Sequence, residues 1–257
     1  MKVKGLILDF GFTLFYFKNV SVDKYFECFR KGLDKSITFL KELNVLKDDI
    51  VTKEFIKNFK EKRAFYFQES VKTKNEFTTK FIFQNILESM EKEKRLENLT
   101  HVNESTYNDL ANLYHSFELE EWVPFEQTRS TLEKISSLKD LKLAVLSNHP
   151  HHPIIEEVLK KHDLLKYFNV VVTSAKFGKR KPHPDIFNYT LKKLGLENNP
   201  NSCLMCGDEH ADIVGGHNAG LQTILCERIY KFPMEKEINI PDHVKIKNIS
   251  EILNFIT

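Results

Sequence analysis

Acidic, basic and hydroxyl side chains follow four apolar runs of the sequence, either directly or in the segment that comes after the run. These side chains are Asp9, Ser147, Lys181, Asp208 and Asp212. Carboxylates that converge in a crevice of low dielectric repel one another, so a cation is needed to hold them together. Oxygen ligands of this kind favour Mg²⁺, which also accepts substrate oxygens in its remaining positions. The residue types therefore predict a magnesium site that holds a small substrate.

The apolar runs that precede these side chains are expected to be the strands of one parallel sheet. Four of them are Leu6–Leu8, Leu141–Leu146, Val170–Val172 and Cys203–Cys206, with helical periodicity between most of them. A fifth strand is expected at residues 221–226, after a short helix that ends at Gly220. This alternation predicts an α/β fold with a doubly wound parallel sheet, in which ligands bind beyond the carboxyl ends of the strands.

A long helical block interrupts this alternation between about residues 22 and 117. Apolar residues recur there every three or four positions, with lysine and glutamate between them. Four amphipathic helices fit this spacing and predict a small bundle whose many phenylalanines form its core.

Composition excludes several classes of protein. The chain has 257 residues, 41% of them hydrophobic and 29% charged, which is typical of a globular protein and unlike a disordered one. The net charge of +2 gives no reason to expect nucleic acid or a membrane as partner. The apolar start of the chain is cut short by Asp9, so we expect a cytoplasmic protein. In that compartment the four cysteines are expected to be reduced. We expect either a monomer or a homodimer.

Four short motifs, in order, resemble those of the haloacid dehalogenase superfamily of hydrolases. The first is Leu6-Ile-Leu-Asp9-Phe-Gly11-Phe-Thr13, and the second is Ser147 with Asn148 beside it. The third is Lys181-Pro-His-Pro184, and the fourth is Gly207-Asp208-Glu-His-Ala-Asp212. Any one of these motifs is weak evidence, but each of the four stands at the end of a predicted strand.

The resemblance implies a domain organisation. A Rossmann-like core would comprise residues 1–18 and 122–257, and an inserted all-helical cap would comprise residues 19–121. The cap would close over the strand ends and choose the substrate.

The resemblance also implies roles for individual residues. Asp9 would attack phosphorus or carbon and form an aspartyl intermediate, with Thr13, Ser147 and Lys181 completing the catalytic set. Substrate or phosphate would be held by Ser147, Asn148, Lys181 and His149. Mg²⁺ would be bound by Asp9, Asp208, Asp212 and the backbone carbonyl of Gly11.

Two positions depart from the family pattern, since Gly11 replaces a second aspartate and Phe12 replaces a glycine. In phosphatases of the family that aspartate protonates the leaving group and activates water, and acid-base catalysis of this kind is worth roughly 10² to 10⁴ in rate. Three outcomes follow: a phosphorylated substrate with a good leaving group, another base such as His149, or carbon-halogen or phosphonate chemistry. A fourth alternative is a catalytically silent binding or regulatory protein on the same scaffold.

Overall fold

The computed structural model describes residues 2–18, 21–96, 99–228, 236–240 and 243–256. The chain divides into two compact units, one of Met1–Lys18 with Trp122–Thr257 and the other of Asn19–Glu121. Residues 19 and 20, at the predicted start of the cap, lie outside the described residues. Each unit has an apolar core of its own.

The unit of residues 19–121 is helical. Its helices are α1 (Val22–Glu42), α2 (Asp49–Thr73), α3 (Thr79–Lys92), α4 (Glu104–His115) and the short α5 (Glu118–Glu121). The four long helices each begin after a side chain that accepts a backbone N–H bond, namely Ser21, Asp48, Thr78 and Asn103. Their apolar faces bury Phe55, Phe59 and Phe83 in the common core, which confirms the four predicted helices.

The other unit contains all of the strands that the structure describes. They are β1 (Gly5–Leu8), β2 (Phe15–Phe17), β3 (Trp122–Pro124), β4 (Lys142–Ser147), β5 (Val170–Thr173), β6 (Cys203–Gly207), β7 (Gln222–Cys226) and β8 (Val244–Ile246). Six of them form a parallel sheet in the order β5-β4-β1-β6-β7-β8. The strand order reverses at β1, which is where a doubly wound sheet opens its ligand crevice. The predicted α/β fold is therefore confirmed.

Helices connect most of these strands. They are α6 (Thr128–Ser136), α7 (His152–Lys161), α8 (Ser174–Phe177), α9 (Pro184–Leu194) and α10 (His210–Asn218), and a further short helix, α11 (Leu253–Ile256), follows β8. Cys203 and Cys206 are fully buried in β6 and form no disulfide, so this pair belongs to the core. Among the described residues, we find no helix with the length and apolar character needed to cross a membrane.

A small antiparallel ribbon of β2 and β3 was not predicted from the sequence. Phe15 pairs with Pro124 and Phe17 pairs with Trp122 in this ribbon. Strands of three residues are too short to show alternation, and these two lie more than a hundred residues apart in the chain. The ribbon brings Trp122 next to the first motif.

Candidate active site

Asp9 lies directly beyond the carboxyl end of the central strand. Its backbone N–H donates to the carbonyl oxygen of Cys206 at 2.9 Å, which ties the residue to the neighbouring strand β6. Its side chain is about nine-tenths buried and faces the ammonium group of Lys181. Because β1 is the strand at which the order reverses, this carboxylate stands at the centre of the crevice.

Lys181 joins two of the predicted site carboxylates. Its Nζ donates to Oδ1 of Asp9 at 2.6 Å, to Oδ1 of Asp212 at 2.5 Å and to the carbonyl oxygen of Leu146 at 2.8 Å. Only 1% of the lysine side chain is exposed. Burial alone would lower the pKa of Lys181, but the charges of Asp212 and Asp9 hold that pKa above its ordinary value.

Asn148 fixes the loop that carries this lysine. Its Oδ1 accepts the backbone N–H of Lys181 at 2.8 Å, and its Nδ2 donates to the carbonyl oxygen of Lys181 at 3.0 Å. Both ends of the amide are thus used on the backbone of one residue, so Asn148 orients the lysine. The predicted contact of Asn148 with substrate stays a prediction.

Asp208 and Asp212 come from the turn between β6 and α10. A Cβ atom placed on Gly207 would lie 2.2 Å from Cγ of Asp212, so only glycine at position 207 leaves room for the Asp212 side chain. Oδ2 of Asp212 accepts the backbone N–H of Glu209 at 3.2 Å, which closes the first turn of α10. Asp208 receives a weak hydrogen bond from Thr13, with 3.4 Å between Oγ1 and Oδ1.

The three predicted carboxylate ligands converge. Oxygen atoms of Asp9, Asp208 and Asp212 all lie within 4.8 Å of one another. Burial above all, and then the charge of Asp9, raise the pKa of Asp208 well above its usual range. Burial likewise raises the pKa of Asp212 to about 7, although Lys181 opposes that shift. Burial and the mutual repulsion of the carboxylates thus disfavour full ionisation of the cluster.

This donor set suits a hard divalent cation. Carboxylate oxygens are the ligands that Mg²⁺ prefers, and a metal ion would relieve the mutual repulsion of the cluster. The residues that would hold such an ion are Asp9, Asp208 and Asp212. A contact through the carbonyl oxygen of Gly11 stays a prediction.

An aromatic ring lies close to the space that a side chain at position 11 would enter. A Cβ atom on Gly11 would lie 3.2 Å from Cη2 of Trp122. The Trp122 ring is 5% exposed and packs edge-on against Phe10, Phe12 and Phe17 at centroid distances of 5.0 to 5.6 Å. Trp122 therefore lies beside the place where the side chain of the family's second aspartate would begin.

Ser147 and His149, two further predicted site residues, follow the neighbouring strand. Ser147 is the last residue of β4 and is buried. Nδ1 of His149 lies 2.9 Å from the carbonyl oxygen of His151, a contact within its own loop. A role for either side chain in phosphate binding, or for His149 as a base, stays a prediction.

Two residues near the carboxylates were missed by the sequence reasoning. Arg228 forms an ion pair with Asp208 and follows β7 by two residues, so the rule that inspects strand ends could have found it. Trp122 left no such signal, because its proximity to Gly11 depends on the pairing of β2 with β3.

Comparison with known proteins decides the family. The model of the haloacid dehalogenase-like hydrolase family matches residues 35–226, which is more than half of the chain. The chain belongs to the haloacid dehalogenase-like hydrolases. The resemblance found in its four motifs is thereby confirmed.

Individual relatives are similar over only part of the chain. It is 30% identical over 151 residues to the pyrophosphatase PpaX of Bacillus mycoides (strain KBAB4), covering 59% of this chain and 66% of that protein. It is 41% identical over 106 residues to the phosphoglycolate phosphatase of Aquifex aeolicus (strain VF5), covering 40% of this chain and 46% of that one. The chain therefore spans slightly under two thirds of the first relative and under half of the second.

A solved structure matches the chain over nearly its whole length. The 2-haloacid dehalogenase from Pseudomonas syringae pv. Tomato DC3000 superimposes with a TM-score of 0.61 at 17% identity, covering 98% of this chain and 97% of that one. At this low identity, the superposition establishes a shared fold and no more.

Proposed function

We propose that this hydrolase transfers the phosphoryl group of a small molecule to water through Asp9 and with Mg²⁺. One observation carries the proposal: the Lys181 ammonium bridges Asp9 and Asp212 while three carboxylates converge beside it. Compared with apolar residues of similar volume, a buried lysine with two carboxylates costs desolvation energy and gives little net stability. Such an arrangement is better explained by chemistry at Asp9 than by folding.

The reaction would run in two steps. A carboxylate oxygen of Asp9 forms a bond to phosphorus while the bond to the leaving group breaks, and the leaving group keeps the electron pair. Water then attacks phosphorus, the bond between phosphorus and the Asp9 oxygen breaks, Asp9 returns as a carboxylate, and inorganic phosphate leaves with the oxygen and protons of the water. Lys181 and Ser147 would stabilise the charge on the equatorial oxygens throughout. When bound, Mg²⁺ would supply further positive charge at the same place.

Gly11 restricts the leaving group. No carboxylate stands at that position to donate a proton, which forfeits roughly 3 to 5 kcal/mol of barrier lowering for a poor leaving group. A leaving group that is stable as an anion loses little in the first step, because it needs no proton as the bond breaks. Acyl phosphates and phosphoric anhydrides meet this condition, so they are the proposed substrate class. The attack of water in the second step lacks the same carboxylate and stays slow.

The names of the relatives support a phosphorylated substrate. One is named for pyrophosphate and the other for phosphoglycolate. In pyrophosphate the leaving group is itself a phosphate, which agrees with the restriction that Gly11 imposes.

A second candidate is hydrolysis of a carbon-halogen bond by the same Asp9. Gly11 favours it, because a departing halide needs no proton. The converging Asp208 and Asp212 favour phosphoryl transfer instead, because a halide reaction has no use for a divalent cation. Metal dependence therefore separates the two candidates.

The proposal is tested with a panel of substrates and one inactivated variant. Acetyl phosphate, pyrophosphate, a sugar phosphate, phosphonoacetaldehyde and chloroacetate are each incubated with and without Mg²⁺. We expect Mg²⁺-dependent release of phosphate from the first two, abolished by Asp9→Asn and unchanged by Asp109→Asn at an exposed aspartate. Halide release without Mg²⁺ would favour the second candidate, and no turnover with any compound would favour a silent binding protein.

Trapping gives a second test that needs no natural substrate. Beryllofluoride with Mg²⁺ is expected to form an adduct on Asp9, since it imitates a phosphoryl group bound to a carboxylate. An unreactive Asp9 would contradict phosphoryl transfer.

The role of the helical unit is a further part of the proposal. Residues 19–121 are inserted between the first and second motifs, where the family resemblance expects a cap. We infer that this unit selects the substrate.

A further inference from the structure

Arg228 is a buried cation beside one of the candidate metal ligands. Its Nε forms an ion pair with Oδ2 of Asp208 and lies 3.3 Å from the carbonyl oxygen of the same residue. One terminal nitrogen also lies 3.7 Å from Oε2 of Glu209. Only 8% of the arginine side chain and 4% of the aspartate side chain are exposed. A guanidinium so far out of water requires the negative charge beside it.

An aromatic ring provides a second contact for this guanidinium. The Cζ atom of Arg228 lies 5.8 Å from the centre of the Phe12 ring, within the range of a cation-π contact. Phe12 has a φ of 57°, a left-handed conformation that costs a residue with a side chain roughly 1 to 2 kcal/mol. The first motif thus carries a phenylalanine in a conformation that favours glycine, and its ring meets Arg228.

Asp208 is approached by several groups at once. Oδ2 faces Arg228, and Oδ1 faces Thr13 at 3.4 Å. When ionised, the three carboxylates of the cluster carry three negative charges, while Lys181 and Arg228 together carry two positive ones. Without Arg228 the same group of charges would attract a divalent cation more strongly.

We propose that Arg228 is a built-in counter-ion of Asp208, which competes with the divalent cation and thereby sets the metal affinity of the site. The inference rests on the proposed function only in taking Asp208 as a metal ligand. The cation would gain Asp208 when the guanidinium withdraws from Oδ2, and the Phe12 ring favours the position in which the guanidinium is paired with Asp208. Arg228 is in this sense a positioning residue, since it acts through Asp208.

The test is a direct measurement of metal binding. Free Mn²⁺ is followed by electron paramagnetic resonance and Mg²⁺ binding by calorimetry, in the wild-type protein and in Arg228→Gln. We expect the variant to bind both ions roughly 10- to 100-fold more tightly, because one nearby positive charge has gone. The matched control is Arg129→Gln, an exposed arginine paired with Asp163, which is expected to leave the affinity unchanged.

Two further variants separate charge from folding. Arg228→Lys keeps the charge, so its affinity is expected to stay close to that of the wild type. Phe12→Leu removes the ring while every charge remains, and we expect metal binding to tighten by roughly 2- to 5-fold as the guanidinium loses one contact. If Arg228→Gln does not fold, the Phe12 variant decides the question.

Each outcome bears on the inference. Equal or weaker metal binding by Arg228→Gln, or by Phe12→Leu where the first variant does not fold, overturns it and leaves the proposed function standing. Binding of Mn²⁺ by neither the wild type nor any variant overturns both the inference and the metal dependence. Tighter binding by Arg228→Gln, with no turnover of the substrate panel, supports the inference while the proposed function fails.

Discussion

Restoring the missing aspartate by Gly11→Asp is expected to damage the protein without improving it. The new Cβ would lie 3.2 Å from Cη2 of Trp122, so the ring or the first motif has to shift by a few tenths of an ångström. The Trp122 ring cannot move freely, because Phe10, Phe12 and Phe17 pack against it. The new carboxylate would also begin beside an aromatic surface.

The magnitude follows from these contacts. Overfilling a packed site costs roughly 1 to 3 kcal/mol, and a protein of this size loses about 2 to 4 °C in melting temperature per kcal/mol. We therefore expect Gly11→Asp to lower the melting temperature by roughly 2 to 12 °C. Gly11→Ala, which adds the Cβ atom alone, separates the steric part of this loss from the cost of the charge.

Removing the ring should change the result. In the double variant Gly11→Asp with Trp122→Leu, the carboxylate gains the space that the indole occupied. General acid catalysis can then accelerate hydrolysis of a sugar phosphate by up to about 10²-fold, the low end of its usual range. The kcat/KM for acetyl phosphate should change little, because forming the aspartyl phosphate from it needs no proton on the leaving group. The two substitutions should also couple, so that the double variant is more stable than the sum of the single effects implies.

The assay compares four proteins: the wild type, each single variant and the double variant. For each, kcat/KM is measured with a sugar phosphate and with acetyl phosphate, alongside the melting temperature. If Gly11→Asp alone raised sugar phosphate turnover a hundredfold with no loss in melting temperature, Trp122 would not be the obstacle and the reasoning would be refuted.

Three other predictions concern buried charge. Lys181→Met should lower the free energy of unfolding by roughly 3 to 5 kcal/mol in urea, because two buried carboxylates lose their shared cation; a similar loss in exposed Lys134→Met would contradict this. Because the pKa of Asp212 is raised to about 7, the folded state holds a proton that the unfolded state releases above about pH 4. Metal-free protein should therefore lose stability as the pH rises from 5.5 to 8 in thermal unfolding, and Asp212→Asn should reduce this slope. Glu118→Gln should cost roughly 1 to 3 kcal/mol, since its carboxylate lies 2.5 Å from Nδ1 of buried His115; an unchanged urea midpoint would argue against it.

The elements that periodicity can describe were predictable from the sequence. Helices α1 to α4 and the strands β1, β4, β5, β6 and β7 stand where their apolar spacing indicated. The strand β8 and the β2–β3 ribbon were missed, since three residues cannot display a period. Strand pairing across a hundred residues depends on contacts that no local pattern records.

The residues of the candidate site were also predictable only in part. Asp9, Lys181, Asp208 and Asp212 could be named because each follows an apolar strand, and the carboxyl ends of parallel strands meet at one edge. The orienting role of Asn148 was not predicted, because it consists of two hydrogen bonds to a loop 33 residues away.

By itself, then, the sequence determined the family, the parallel sheet and the residues that reach its carboxyl edge, because strand periodicity and motif order are properties of neighbouring residues. Only the tertiary structure decided what occupies the space beside Gly11 and what neutralises Asp208. Trp122 and Arg228 arrive there from distant parts of the chain, and their roles follow from packing and buried charge, which exist only once the chain has folded.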